Sequence, residues 1–580
     1  MIPCFYFRSS YKFQKAKFLA VLLLAHAVAC QRWLLRCGKN YQEGQQATPP
    51  EGTFPPPVQL LTPHFAFRCL PRVEPYLESD ECSRASLLVD TRLTSVQFDY
   101  SLPLPLDFSL DSGSRSEFPK LTLAVELEGQ RTIHRNSEFD VKSLELPLSL
   151  CTLLPRKEPY SVNCMAEIEL LDGTKEIYNY TSPLLFLPDP PSGTVTKLDR
   201  KATALLTRSK DGTSEYVFPI GFYTDFGYVA SNISVLDEIK SQGFNFIHHV
   251  PPFEDEVAFD AILDHLDEIE LYLMYDMRHS YQDLASVERQ VNKIKNRRSL
   301  LAWYTADEPD GPGDPPNATR MAYDLIHNLD GYHPVSIALN CDDHYFKEYT
   351  SGADIIMPDV YMIGNNVSFS SKYNTPCNKD FGCCGCDNCE GRFEDISNRL
   401  DNAQTRLKLL GWDNNKLLWS IPQAFGGEEF WNRAPTGREW LVQTLLSINH
   451  GARGIMSWID PTPQDIKEHA SHFASLLPRL APYLFDDEVK FSRVKFSHLD
   501  VGTWRKGAKS LIIAANLDQE TPSLDLRVDG QDRIDWILRE GVSLSITGHI
   551  VFEPLGCAIF LNSIGGEDTS DEAKLIHDEL

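Results

Sequence analysis

The chain has 580 residues, 42% hydrophobic and 11% aromatic, which is enough for two to four domains with real cores. Its net charge of −26 excludes a basic nucleic-acid surface, because backbone phosphates would be repelled. Acidic solvated surfaces are common, so the charge names no partner.

Residues 1–29 read as a secretory signal peptide. Arg8, Lys12, Lys15 and Lys17 precede the apolar stretch Phe18–Ala29, and Ala27-Val28-Ala29 supplies small residues for cleavage. An uncleaved anchor is the alternative, but this stretch falls short of the ~20 residues that span a bilayer. No other segment has that character, so stable membrane insertion after cleavage is not expected. Residues 30–63, with Pro49, Pro50, Pro55, Pro56 and Pro57, read as linker.

From 64 to 200 the pattern is short alternating runs such as Leu121–Leu127 and Met165–Leu170, which predicts an N-terminal β-sandwich. The proline cluster from Pro188 to Gly193 marks a boundary. Residues 201–487 then alternate strand-like and helix-like segments. The strands are Tyr216–Tyr223, Phe244–Val250, Leu271–Met277, Leu300–Ala306, Pro334–Asn340, Asp354–Ile363, Lys416–Phe425 and Gly454–Ile459. Amphipathic stretches such as Ser231–Gln242, Leu284–Lys295 and Phe393–Leu410 lie between them. Eight such units predict an α/β fold of the (β/α)₈ TIM-barrel type. A doubly wound sheet would need a glycine-rich nucleotide turn after an early strand, and none is present. Residues 488–563 return to strands without helices and predict a C-terminal β-sandwich. An acidic tail, 564–580, ends in His577-Asp578-Glu579-Leu580, the signal read by the endoplasmic reticulum retrieval receptor. Sequons at Asn179, Asn232, Asn317 and Asn366 fit a luminal chain.

Barrel chemistry collects at the carboxyl ends of the strands. Here those ends carry Tyr223, His248-His249, Asp276 with Arg278, Asp307-Glu308, Asn340, Asp359 with Tyr361, Gln423 and Trp458. Carboxylates and aromatic planes together are what sugar chemistry uses: acids protonate glycosidic oxygens, and rings stack on the apolar faces of pyranoses. The fourth strand, Leu300-Leu-Ala-Trp-Tyr-Thr-Ala306, ends abruptly in Asp307-Glu308-Pro309. Two adjacent carboxylates ionise together only at a cost, so one is expected to hold its proton and serve as a general acid. The structural alternative is a turn cap at Asp307 and an ion pair at Glu308.

An eight-stranded barrel whose fourth strand ends in Asp-Glu-Pro resembles glycoside hydrolases. In the retaining clan whose fourth strand ends Asn-Glu-Pro, the Glu is the acid/base, which implies that role for Glu308. That clan's nucleophile lies at the end of strand seven, where this chain has Gln423, a poor nucleophile. The chain also resembles substrate-assisted N-acetylhexosaminidases, which use an adjacent Asp-Glu pair and the substrate's own acetamido oxygen. This resemblance implies Asp307 as orienter, Glu308 as acid/base, Tyr361 as donor to the acetamido oxygen and Trp458 as sugar platform. Substrate contacts are expected from Asp359, Gln423, Asn340, Asp276, His248 and Tyr223. Glu428 and Glu429 are the alternative nucleophiles. No cofactor is implied. The expected partner is an oligosaccharide or glycoprotein glycan. The rival readings are a barrel that binds carbohydrate without catalysis and a transglycosylase.

In an oxidising compartment the 14 cysteines read first as disulfides. Cys151 with Cys164 and Cys69 with Cys82 are the expected N-terminal pairs. Cys377, Cys383, Cys384, Cys386 and Cys389 would take Cys341 as their sixth member. A zinc site is the alternative there, against which stand the missing histidine and the missing second pair. The His248-His249 pair lacks the companions of a metal-hydrolase barrel, so no metal is expected. Cys557 reads as a buried free thiol.

Overall fold

The computed structural model describes residues 35–563, apart from position 48, residues 106–107, 109–118 and 129, position 171, residues 209–212, position 254, residues 520–523 and 528–533, and position 547. The expected signal peptide and the acidic tail therefore lie outside the described residues. Among the described residues, no helix is long and apolar enough to cross a membrane.

Eight parallel strands form the centre: β1 (Ile220–Asp225), β2 (Phe246–Val250), β3 (Tyr272–Asp276), β4 (Leu300–Asp307), β5 (Val335–Leu339), β6 (Ile355–Pro358), β7 (Leu417–Leu418) and β8 (Ile455–Asp460). Their order follows the sequence from β1 to β7, with β8 on the free side of β1. Backbone bonds from Ser420 N to Gly454 O and from Met456 N to Ser420 O, both 3.0 Å, join the two edges and close the curl. These strands are near-continuous apolar runs because both faces are covered. Phe246, Met274, Leu301, Met357, Trp419 and Met456 fill the inside. The outer face packs on helices such as Glu256–Ile269, Leu284–Ile294, Glu394–Leu410 and Gly437–Asn449.

The first predicted strand is two. Ser214–Val217 pairs antiparallel with Ala204–Arg208 in a separate sheet, and β1 starts only at Ile220. Pro219 stands between them and has no N–H to give a ladder.

Before the barrel, besides the four-stranded sheet that holds Ser214–Val217, lie two further four-stranded antiparallel sheets. One holds Leu144–Leu148, Ala85–Val96, Gln59–Pro71 and Ser101–Pro103; the other holds Lys175–Leu184, Tyr160–Glu169, Lys120–Leu127 and Gln130–Ser137. Their inward residues, including Phe65, Leu87, Val125 and Val162, share one apolar cluster. Cys69–Cys164 bridges the two sheets and Cys82–Cys151 closes a surface turn, so both expected pairings are exchanged. The reason is strand alternation: Cys164 points into the apolar cluster with Cys69, while Cys151 lies exposed. After the barrel comes one six-stranded antiparallel sheet, ordered Lys490–Phe496, Leu499–Lys506, Lys509–Asn516, His549–Ser563 and Leu524–Arg527, with Asp535–Leu544 also pairing to His549–Ser563. The expected second sandwich is thus a single sheet, its Asp535–Leu544 strand interrupted by two register shifts. One side of it, with Trp504, Leu511 and Ile513, belongs to the barrel's outer core.

The described part of the expected linker, 35–63, is not a linker. Leu35–Arg36 and Lys39–Asn40 form a small hairpin that crosses the barrel mouth. Cys37 is bonded to Cys341, and buried Lys39 pairs with Asp387 at 2.5 Å. The same disulfide corrects the expected sixfold cysteine set. Cys377 pairs with Cys384 and Cys386 with Cys389, while Cys383 stays a buried free thiol, as does Cys557.

Candidate active site

The carboxyl ends of the barrel strands surround a cavity of about 700 Å³. Asp307, Glu308, Asn340 and Asp359 line it together with Tyr223, Tyr361, Phe425, Trp431 and Trp458. Leu35, Arg36 and Tyr41 of the N-terminal hairpin form one wall, and Lys372, Tyr373, Glu428, Glu429 and Phe430 form a rim. This is the size and mixed polarity of a small-molecule or sugar site.

Strand β4 explains the abrupt acidic end. Leu300–Ala306 is fully buried, and a register shift against β5 between Tyr304 and Ala306 re-aims the chain. The Tyr304 hydroxyl consequently donates to Asp307 Oδ1. Arg278 Nη1 reaches Asp307 Oδ2 at 2.6 Å. Glu308 follows with φ +49°, a left-handed conformation that costs a non-glycine residue ~1–2 kcal/mol and that gathers at functional sites. Its carboxylate pairs with Arg36, whose Nε also bonds Asn340 Oδ1 at 3.1 Å. Asp310, in the turn after β4, reaches across to the end of β5 and accepts the N–H groups of Asn340 (3.2 Å) and Cys341 (2.8 Å). The neighbouring acids are therefore divided between two guanidiniums, where the sequence had suggested that one of them holds its proton.

Beneath the floor lies a second charged layer. Asp276 Oδ2 accepts from His248 Nε2 at 2.7 Å and from Arg278 Nε at 2.6 Å. Burial opposes the Asp276 carboxylate, but Arg278 and His248 outweigh it and hold the carboxyl below its ordinary range. Burial lowers His248, which is neutral at pH 7 and donates through Nε2 to the carboxylate. His249 points the other way to Thr224, and burial pushes it down to about 3. Arg278 lies 5.4–5.5 Å from the ring centres of Tyr223, Tyr304 and Trp458. Asp276 and His248 thus carry Arg278 and lie outside the cavity lining, which corrects their expected substrate contacts.

Gln423 is also corrected. It is fully buried, its side-chain oxygen accepting from Ile363 N (3.0 Å) and its amide donating to Ile363 O (2.9 Å) and Phe425 O (3.2 Å). It anchors the loops after β6 and β7 and does not reach the cavity. Gln423→Glu would set a carboxylate against two carbonyl acceptors, and a loss of about 3 kcal/mol is expected in a denaturant midpoint.

Asp359, after β6, is 4% exposed, lines the cavity, and leaves Oδ1 without a hydrogen-bond partner. Burial pushes its carboxyl up to about 7, with Asp307 adding to the rise and Arg36 and Arg399 opposing it. Tyr361 stacks edge-on with Phe425 (5.1 Å) and Trp431 (6.0 Å), and Trp431 Nε1 donates to Tyr361 O at 2.6 Å. Glu429 pairs with Lys372 at 2.6 Å, and Glu428 forms a tight backbone turn with Trp431. Both stand exposed at the rim.

Cys37, Cys383 and Asp387 converge as possible metal ligands. Cys37 is held in a disulfide, Asp387 pairs with Lys39, and burial lifts the Cys383 thiol to about 11. Such a set suits a covalent clamp better than a cation.

Sequence reasoning missed Arg36, Tyr41, Tyr373, Phe430 and Trp431. The signal for Arg36 was Cys37 next to it, a cysteine without an assigned partner.

No protein-family model matches the chain, and no curated protein matches it. Among solved structures it is similar to glycoside hydrolases. An α-amylase from Geobacillus thermoleovorans, complexed with acarbose, is 11% identical with a TM-score of 0.38, covering 59% of this chain and 98% of that one. A debranching enzyme from Nostoc punctiforme is 10% identical with a TM-score of 0.37, over 57% and 88%. A glycoside hydrolase family 30 xylanase from Clostridium acetobutylicum is 11% identical with a TM-score of 0.34, over 60% and 96%. At this distance the likeness carries no inference about chemistry, which rests on the residues of the site.

Proposed function

We propose that the cavity is the active site of a glycoside hydrolase acting on an oligosaccharide or glycoprotein glycan, with Glu308 as acid/base and Asp307 beside it. The observation that carries this reading is the convergence of Asp307, Glu308 and Asp359 with Tyr223, Tyr361, Phe425, Trp431 and Trp458 around one sugar-sized cavity. The finer reading is substrate-assisted cleavage beside a 2-acetamido sugar. In this reading Asp307, held by Arg278 and Tyr304, accepts the acetamido N–H, and Tyr361, which also lines the cavity, donates to its oxygen. The lumen of the endoplasmic reticulum is the proposed setting. Five disulfides and exposed sequon residues Asn179, Asn232, Asn317 and Asn366 support it.

Glu308→Gln tests the reading. Hydrolysis of a panel of chromogenic glycosides, 2-acetamido sugars included, should fall by about 10²-fold or more. Glycan binding, followed by tryptophan fluorescence, should persist. A wild-type protein inert on the whole panel overturns it. The second reading, a carbohydrate-binding barrel without turnover, draws on one observation: both front-rank carboxylates are tied to arginines. A transglycosylase would use the same residues and is separated by adding a sugar acceptor to the assay.

A further inference from the structure

Glu308 is ion-paired with Arg36, and Asp307 is held by Arg278 and Tyr304. A carboxylate accepts a proton and has none to give. Breaking a glycosidic bond needs a proton on the departing oxygen, so another group at the cavity must carry it.

We propose that Asp359 is the catalytic acid of this site, its carboxyl giving the proton to the glycosidic oxygen and so taking over the acid half of the role given to Glu308 above, while Glu308 keeps the base half of the cycle. The proposal rests on the hydrolase reading above. Its geometry is specific. Asp359 follows β6, its backbone N–H bonds Leu339 O at 3.1 Å, and its side chain is buried at the cavity wall with one oxygen unsatisfied. A buried polar atom without a partner is rare and calls for an explanation, which a ligand in the adjoining cavity would supply. The groups facing it are Asp307 and Asp310, which disfavour its ionised form, Arg36 and Arg399, which favour it, and the neutral Tyr361. Burial decides the balance, leaving the carboxyl near half-protonated at neutral pH.

In the first step the Asp359 proton moves to the glycosidic oxygen as the C–O bond breaks, and the bonding pair leaves with that oxygen. The acetamido oxygen supplies the pair for the new bond at the anomeric carbon. In the second step water adds to that carbon as its bond to the acetamido oxygen breaks, the bonding pair returns to the acetamido group, and the water proton passes to Glu308. Exchange with solvent returns one proton to Asp359 and removes one from Glu308, so the cycle closes without a redox partner.

The test compares wild type with Asp359→Asn and Asp359→Glu on aryl glycosides of graded leaving group. A dinitrophenolate departs almost without help, whereas an alkyl-substituted phenolate needs its proton. Asp359→Asn should lose about 10²-fold or more in kcat/KM on the poor leaving group and stay within a few-fold on the good one. Its high-pH limb should vanish, and Asp359→Glu should restore part of the poor-substrate rate. An equal loss on both substrates, or an unchanged high-pH limb, overturns the assignment while leaving the hydrolase reading intact. A wild type inert on every glycoside overturns both. Melting curves of the two variants exclude misfolding, and a variant that does not fold passes the test to Asp359→Glu alone.

Discussion

Replacing Arg278 by methionine should cost about 3–5 kcal/mol of stability at neutral pH, with activity lost alongside. Methionine keeps the volume of the stem and loses the guanidinium together with its cation–π contacts to Tyr223, Tyr304 and Trp458, so the loss is chiefly electrostatic. What it removes is the single cation between two carboxylates, one of which, Asp276, is entirely buried. Removing one partner of such a pair leaves an uncompensated charge, which is far worse than never having had the pair. The neutral His248 cannot replace the guanidinium, because it offers a hydrogen bond without a charge. The pH dependence carries the sign. Asp276 is held below its ordinary range in the folded protein, so its contribution is present above the unfolded carboxyl pKa and fades as pH falls through the folded one. In the variant, Asp276 protonates at higher pH, so the gap between wild type and variant narrows on acidification. Denaturant midpoints at several pH values measure this. A gap independent of pH would mean that Arg278 acts through packing.

The barrel was legible because its strands, buried on both faces, leave continuous apolar runs separated by amphipathic helices, a pattern that local sequence records. Asp307 and Glu308 were legible because a buried strand has no reason to end in paired acids. What the sequence did not display was the partner of each. Arg36 is 272 residues from Glu308, inside a segment whose prolines and polar residues look like linker. Nothing local marks it except Cys37. The disulfide exchange between Cys69, Cys82, Cys151 and Cys164 had the same cause. Proximity in sequence favoured the short pairings, whereas the inward faces of two sheets set the real ones. Gln423 looked like a displaced nucleophile because it follows β7 where the barrel's carboxyl end lies, but its side chain turns away from the cavity. It faces Ile363, and only three dimensions reveal that.

Cutting the clamp between the N-terminal hairpin and the barrel should have the other large effect. Cys37→Ala with Cys341→Ala is expected to lower stability by about 3–4 kcal/mol, measured against wild type in denaturant. The bond joins residues 304 positions apart, and long closures restrain the unfolded chain most. The Cys69–Cys164 and Cys82–Cys151 bonds lie within that span and shorten the effective loop, which holds the figure below the value for an unbranched chain. The functional consequence is separable. Freed of the disulfide, the hairpin no longer presses Arg36 to Glu308 and Asn340, and the cavity loses its cation there. Arg36 holds the Asp359 carboxyl down, so its departure raises that carboxyl further. If Asp359 must be protonated to act, activity falls as pH rises through its pKa, and the high-pH limb should move to higher pH in the double variant. Arg36→Ala should reproduce that movement while costing at most about 1 kcal/mol, because its ion pair is partly exposed. Stability lost without any change of limb would make the hairpin a brace alone. A limb that moves in both variants makes it part of the site, since a covalent bond at Cys37 would then be what sets the charge around the reacting carboxyls.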